Sequence, residues 1–140
     1  MHDETIPVVA AVISRDDCYL VARRPDHKRH GGRWGFPGGK LKPNESKERG
    51  IRRELSEELR LEVVSVGETL FSADDKGAPF IIEFVKVAVQ GTPKLSEHSE
   101  MGWFSLDTLV LLPLAPADAL FVEHLVFVRD ERNSLKDQNS

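Results

Sequence analysis

Glu54, Glu57 and Glu58 fall within one helical turn of the run Arg53-Glu54-Leu55-Ser56-Glu57-Glu58. At roughly 100° per residue the three project into one sector of a helix, where like charges at these spacings repel. They also crowd the last turn of the segment, the negative end of the helix dipole, where each carboxylate is unfavourable by about 0.3 to 1 kcal/mol. A hard divalent cation reverses the sign of both effects. Mg²⁺ and Mn²⁺ take oxygen donors, retain waters and bridge to phosphate oxygens. The chemistry such a cluster supports is therefore attack of water on a polyphosphate whose charge has been neutralised and whose phosphorus is oriented. For the glutamates alone the rival reading is a solvated acidic helix end, partly offset by Arg52, Arg53 and Arg60.

The spacing upstream discriminates between the two. Gly39 precedes Glu45 by six positions, and Glu45 precedes Arg53 by eight. With Glu54, Leu55, Glu57, Glu58 and Leu61, these residues resemble the signature of the Nudix hydrolases. The chain departs from it at Arg60, which stands where the family has a glycine. That glycine ends the helix in a left-handed turn, so Arg60 implies a strained cap or a different exit, worth roughly 1 kcal/mol. The resemblance implies that Glu54, Glu57 and Glu58 bind Mg²⁺, with Mn²⁺ as a substitute, and that the Gly39 carbonyl completes the site. It also implies that Glu45 and Arg53 form a structural ion pair holding the loop against the helix. Two candidates remain for the general base. Glu57 could accept the proton of the attacking water, and Glu97 matches a loop glutamate that several family members use at the metal site; His98 reads as a loop histidine.

Arg23, Arg24, His27, Lys28, Arg29, His30 and Arg33 make the stretch before Phe36 strongly basic, with Gly31 and Gly32 permitting tight bends. Arg24 sits twelve positions before Phe36, as does a phosphate-contacting arginine of the MutT-type members, and the other cations read as solvated. Trp34 and Phe36 frame the Gly38-Gly39 turn and could stack on a base, with core packing the competing role. The stretch Pro113 to Asp118 resembles the segment that borders the base pocket in the CTP pyrophosphohydrolase branch and its oxidised-guanine relatives. Asp118 could read an amino group of cytosine or guanine, since a carboxylate only accepts, or it could cap the last helix. Gly35 stands where those relatives commonly carry glutamate, and the resulting Trp-Gly-Phe-Pro-Gly-Gly run also occurs among members acting on nucleotide sugars and ADP-ribose.

The elements that must position these groups follow from the apolar pattern. Ile6 to Ser14 is a nearly unbroken apolar run suited to a strand covered on both faces. Tyr19 to Arg23, Leu61 to Phe71 and Pro79 to Val89 read as further strands, the last two joined by the turn Asp74-Asp75-Lys76-Gly77, and a short strand holds Trp103 and Phe104. A helix is expected over Glu45 to Leu59, capped by Asn44, with Ile51, Leu55 and Leu59 as its core stripe. A second runs from Ala117 to about Arg129 with Leu120, Phe121, Leu125 and Phe127 or Val128 as its apolar face. Residues 133–140 read as a disordered tail after a single domain spanning 1–132. The class is α/β, and the Nudix resemblance implies a mixed β-sheet sandwiched between α-helices.

Nineteen basic against 23 acidic residues give a net charge of −4, which argues against a nonspecific nucleic-acid partner. The lone cysteine, Cys18, excludes an internal disulfide and reads as an inert thiol. No stretch approaches the roughly 20 apolar residues of a membrane span, and Met1 to Thr5 is acidic rather than a basic signal region. A cytoplasmic enzyme, monomeric or homodimeric, is the default. The expected activity is metal-dependent hydrolysis of a nucleoside triphosphate, pyrimidine or modified, to the monophosphate and pyrophosphate. The alternatives are cleavage of ADP-ribose or another nucleoside diphosphate derivative, and a nucleotide-sensing module without turnover.

Overall fold

Strand β1 (Ile6–Val12) is apolar at nearly every position because both of its faces are covered. In the computed structural model, which describes residues 4–96 and 100–138, β1 runs parallel to β7 (Phe80–Gln90). It pairs on its other edge with the short antiparallel strand β5 (Gly38–Lys40). The long strand β6 (Glu62–Asp75) pairs antiparallel with β7, giving the order β5-β1-β7-β6. A second sheet is built around β3 (Cys18–Arg23), with β2 (Ser14–Arg15) and β4 (Trp34–Gly35) on one side and β8 (Glu100–Ser105) on the other. The expected mixed sheet is present as the first of these, and the second carries the elements leading into and out of the basic loop.

Alternation along β1 divides the core. Val9 and Ala11, with Val85 and Val87 of β7, meet Ile51, Leu55 and Leu59 of helix α1 (Lys47–Leu59). Ala10 and Val12, with Phe84, meet Phe121 and Val122 of helix α3 (Pro116–Gln138). The single turn α2 (Leu106–Leu109) buries Leu109 in the same cluster. The stripe Ile51, Leu55, Leu59 is thus the core face foreseen from the sequence.

The helix ends differ in informative ways. Asn44 does not cap α1: it takes φ +64° in the preceding turn, and the Ser46 hydroxyl instead accepts the Arg49 N–H at 3.2 Å. A serine presenting its oxygen to the third N–H satisfies the same orphan donor that Asn44 was expected to satisfy. At the other end Arg60 occupies the left-handed region, φ 54° and ψ 35°. Its N–H reaches the Ser56 carbonyl and the Leu61 N–H reaches that of Leu55, both at 3.1 Å. Of the two exits Arg60 allowed, the chain uses the strained cap.

Helix α3 begins at Pro116, whose fixed φ and missing N–H suit a first helical position, and the Ala119 N–H donates to the Ala115 carbonyl. It continues to Gln138, past Asn133, where the sequence suggested a disordered tail. No glycine or proline interrupts residues 130–138, and extending an existing helix is far cheaper than nucleating one. Its apolar face is also rotated from the expected one: Phe121 is fully buried while Leu120 and Phe127 are exposed. Among the described residues no helix is long and apolar enough to cross a membrane.

Candidate active site

Helix α1 is tied to the loop before it by one residue. Arg53 donates Nε and Nη2 to the two carboxylate oxygens of Glu45, each at 2.8 Å, and Nη2 also reaches the Lys40 carbonyl at 3.2 Å. Its Nη1 donates to Glu54 at 3.0 Å and to Glu57 at 3.4 Å. Glu45 further accepts the Lys42 N–H. The bonds from Arg53, then that from Lys42, hold the Glu45 carboxyl down to about 2. The guanidinium is correspondingly held above its ordinary value by Glu45 and Glu54.

The three glutamates do not stand equally. Glu54 is largely buried, whereas Glu57 is mostly exposed and turned toward Arg53. Glu58 lies in the cavity wall, where burial, then a hydrogen bond and charge repulsion from Glu54, push its carboxyl up to about 9. Two carboxylates thus share a proton at neutral pH, and among the described residues no three acidic, histidine or cysteine side chains already converge on one point. A Cβ on residue 39 would lie 2.5 Å from Glu54 Oε1, so any side chain there would displace the Glu54 carboxylate. A close pair of hard oxygen donors carrying a displaceable proton fits a hard divalent cation in charge and chemistry.

The Gly39 carbonyl is differently placed from expectation. Ala11 donates to the Pro37 carbonyl and Leu41 to that of Pro7, so the antiparallel alternation assigns Gly39 to the hydrogen-bonded pair with Val9. Its carbonyl is committed to β1. Gly38 alternates outward from β1, and its N–H meets Glu58. The residue whose backbone faces the acidic pair is therefore Gly38, one position before the one the signature suggested.

Glu54, Glu58, Gly38 and Gly39 line a cavity of about 510 Å³ that is also lined by Arg24, Phe36, Asp118, Phe80 and Asp75. Arg24 is half-buried, its Nε has no hydrogen-bond partner among the described residues, and its charge acts on both Glu58 and Asp118. Asp118 is buried and accepts the Phe36 N–H at 2.9 Å. Burial pushes its carboxyl up to about 6, against the opposing charge of Arg24 and the bond from Phe36. Its capping alternative is set aside, since α3 starts at Pro116 and Asp118 lies inside the first turn. Phe36 does not offer a stacking face. Its ring meets Tyr19, Phe84 and Phe121 edge-on at 5.2 to 6.4 Å within the core, and Trp34 likewise packs on Phe104.

Gly35 has a local explanation: a Cβ there would come 3.1 Å from Asp118 Oδ1, so any side chain would crowd the buried carboxylate. Asp75 was missed in the sequence because it read as part of a turn. It ends β6, on the same face as Phe71 and Ala73, and that period of two was the available signal. Glu97 and His98 lie outside the described residues.

A model of the NUDIX domain matches residues 4–125. The chain belongs to the Nudix family. This Nudix protein is 38% identical over 130 residues to the CTP pyrophosphohydrolase of Escherichia coli K12, covering 91% of the chain and 96% of that protein. It is 39% identical over 64 residues to the 8-oxo-dGTP diphosphatase of Proteus vulgaris, covering 45% of the chain and 57% of that protein. Among solved structures it resembles a MutT Nudix hydrolase of Burkholderia pseudomallei with a TM-score of 0.77 and 30% identity, covering 86% of this chain and 97% of that one. It is a hydrolase of phosphoric anhydrides that acts on nucleotides, in a family that generally uses divalent metal ions. A sensing module without turnover is thereby set aside.

Proposed function

We propose that this Nudix hydrolase converts a nucleoside triphosphate to the monophosphate and pyrophosphate by attack of water on phosphorus, with a pyrimidine or oxidised nucleotide as substrate. One observation carries the reading. One cavity is lined by the acidic pair Glu54 and Glu58, by Arg24, whose Nε has no partner among the described residues, and by the buried carboxylate of Asp118. The charge of Arg24 acts on both Glu58 and Asp118, so the wall offers acid, base and acid to the cation, phosphate and amino-bearing base of a metal nucleotide.

Glu54 and Glu58 would hold Mg²⁺, with Mn²⁺ as a substitute, and Glu57 would swing in from solvent to join them. Bound there, the cation would neutralise phosphate oxygens and acidify water. Glu57, the least buried of the three glutamates, would take the proton of the attacking water. Arg24 binds the phosphate chain through its buried Nε. Asp118, ionised above about pH 6, accepts from the amino group of cytosine or guanine. Glu45 and Arg53 keep the loop and helix in register.

The ADP-ribose alternative rested on Gly35, and the approach of Asp118 accounts for that glycine without it. A panel of nucleoside triphosphates and ADP-ribose, assayed with Mg²⁺ and with products separated, tests the proposal. The expected products are a monophosphate and pyrophosphate from a substrate with an exocyclic amino group; ADP-ribose as the preferred substrate overturns the reading.

A further inference from the structure

Asp75 is a buried acid that the hydrolytic reading does not use. It sits at the end of β6, opposite Phe80 of β7, and it lines the same cavity as Glu54 and Glu58. Arg29 donates Nε to its Oδ2 at 2.8 Å and Nη2 to its Oδ1 at 3.4 Å, and His30 Nε2 lies 3.0 Å from the same Oδ1. Arg29 Nη2 also reaches the Lys76 carbonyl at 3.0 Å. Burial alone would raise the Asp75 carboxyl, but the bonds from Arg29 and His30 outweigh it and hold the group below its ordinary value.

The loop that supplies these partners joins β3 to β4 and is wound on itself. Arg24 N–H donates to the Arg33 carbonyl, Gly32 N–H to that of Arg24 and Arg33 N–H to that of His30. His30 and Gly32 both take positive φ, 58° and 78°. A Cβ on Gly31 would lie 2.3 Å from the Asp26 carbonyl oxygen, so the bend admits only glycine. The loop belongs to one sheet, and Asp75 and Lys76 to the β6–β7 end of the other. Their contact is a clasp between the two walls of the cavity, and it brings Lys28 and Arg29 to the cavity's edge.

We propose that Asp75 is a positioning residue for the nucleoside end of the substrate. By holding Arg29 and His30 it fixes the loop that lines the cavity together with Val8, Phe80 and Ile82. The inference rests on the nucleotide reading above: phosphates drawn to the glutamates leave the sugar and base against this apolar part of the wall. A buried acid is costly unless its partners and geometry compensate it. Here it ties the loop of one sheet to the facing sheet through Arg29 and His30.

The test is steady-state kinetics of the full chain with Mg²⁺ and its best nucleoside triphosphate, using D75N, R29Q and R29K. Inorganic tripolyphosphate serves as a competitive probe that carries the phosphate chain without a nucleoside. D75N and R29Q are expected to raise KM by about tenfold or more, the worth of one charge-assisted hydrogen bond, with kcat within about twofold. The double variant should be no worse than the single ones, and R29K should recover part of the effect. Tripolyphosphate should inhibit parent and variants equally. If D75N fails to fold, R29Q, on the half-exposed partner, carries the same test. An unchanged KM, a loss confined to kcat, or a parallel loss of tripolyphosphate inhibition overturns the proposal. Absence of turnover by the parent on every nucleoside triphosphate overturns instead the nucleotide reading beneath it.

Discussion

Arg53 and Glu45 meet across eight residues in a two-pronged ion pair with both bonds at 2.8 Å, and the remaining nitrogen of Arg53 points at Glu54 and Glu57. One guanidinium therefore sets both the loop and the acidic turn. Lysine, with a compact ammonium, cannot reproduce the fork. R53K should lower kcat/KM by about tenfold or more, while E45Q, which keeps one acceptor, should do less. The pair also has an acid signature. Glu45 is held down to about 2 from an ordinary 4.5, so its contribution to stability is complete above pH 4.5 and is lost as pH falls toward 2. Acid titration of unfolding should show a shallower decline for E45Q than for the parent across that window. Parallel curves would place the acid sensitivity elsewhere.

Arg60 carries a cost that a glycine would remove. A residue with a Cβ in the left-handed region is strained by about 1 kcal/mol, and the cap bonds to Leu55 and Ser56 involve only backbone. R60G should therefore raise Tm by about 3 °C for a chain of this size and leave kcat within about twofold. A large change in rate at constant Tm would show that the Arg60 side chain acts on the site.

Much of this was legible from the residues because it is local. Ile51, Leu55 and Leu59 announce a buried helix face, and the nearly unbroken apolar run of β1 announces a strand covered on both faces. The spacing of Gly39, Glu45, Arg53 and the glutamates named the family before any coordinates. What could not be read was long-range. Whether Phe36 stacks on substrate or on Phe121 depends on residues 85 positions away, and helix propensity says nothing of that. The Asp75 clasp to Arg29 joins segments 46 residues apart, and a two-acid run before a glycine reads locally as a turn. Unequal exposure of Glu54, Glu57 and Glu58 arises from β5 passing on one side of α1, which the one-sector argument could not foresee.

Asp118 gives a second pH window with the opposite sign. Its carboxyl is raised by burial to about 6 from 3.8, so its contribution to stability is complete below 3.8 and is lost as pH rises through about 6. The whole effect is at most about 3 kcal/mol, at roughly 1.4 kcal/mol for each tenfold in proton affinity. D118N retains an oxygen to accept the Phe36 N–H but cannot ionise. Between pH 4 and 7 the variant should gain stability relative to the parent. Its preference between cytosine and adenine substrates should also shift, because the amide presents a donor as well as an acceptor. An unchanged ratio would leave Asp118 as a tether for Phe36 alone.

Replacing Glu58 should have opposite effects with and without cation. In the absence of metal, burial beside Glu54 holds the Glu58 carboxyl protonated at neutral pH, at a cost to the fold that glutamine does not carry, so E58Q should be at least as stable as the parent. With Mg²⁺ the order should invert. A ligand present at 100 times its dissociation constant adds about 2.7 kcal/mol to the form that binds it, and the parent should gain this while E58Q gains little. E57Q should keep the fold and lower turnover by about two to four orders of magnitude, since its carboxylate is exposed and its bond to Arg53 is long. Thermal melts of the three proteins across a magnesium titration, with turnover measured alongside, give both answers. If E58Q responds to Mg²⁺ as the parent does, the cation binds elsewhere and the acidic pair is only a strained helix end.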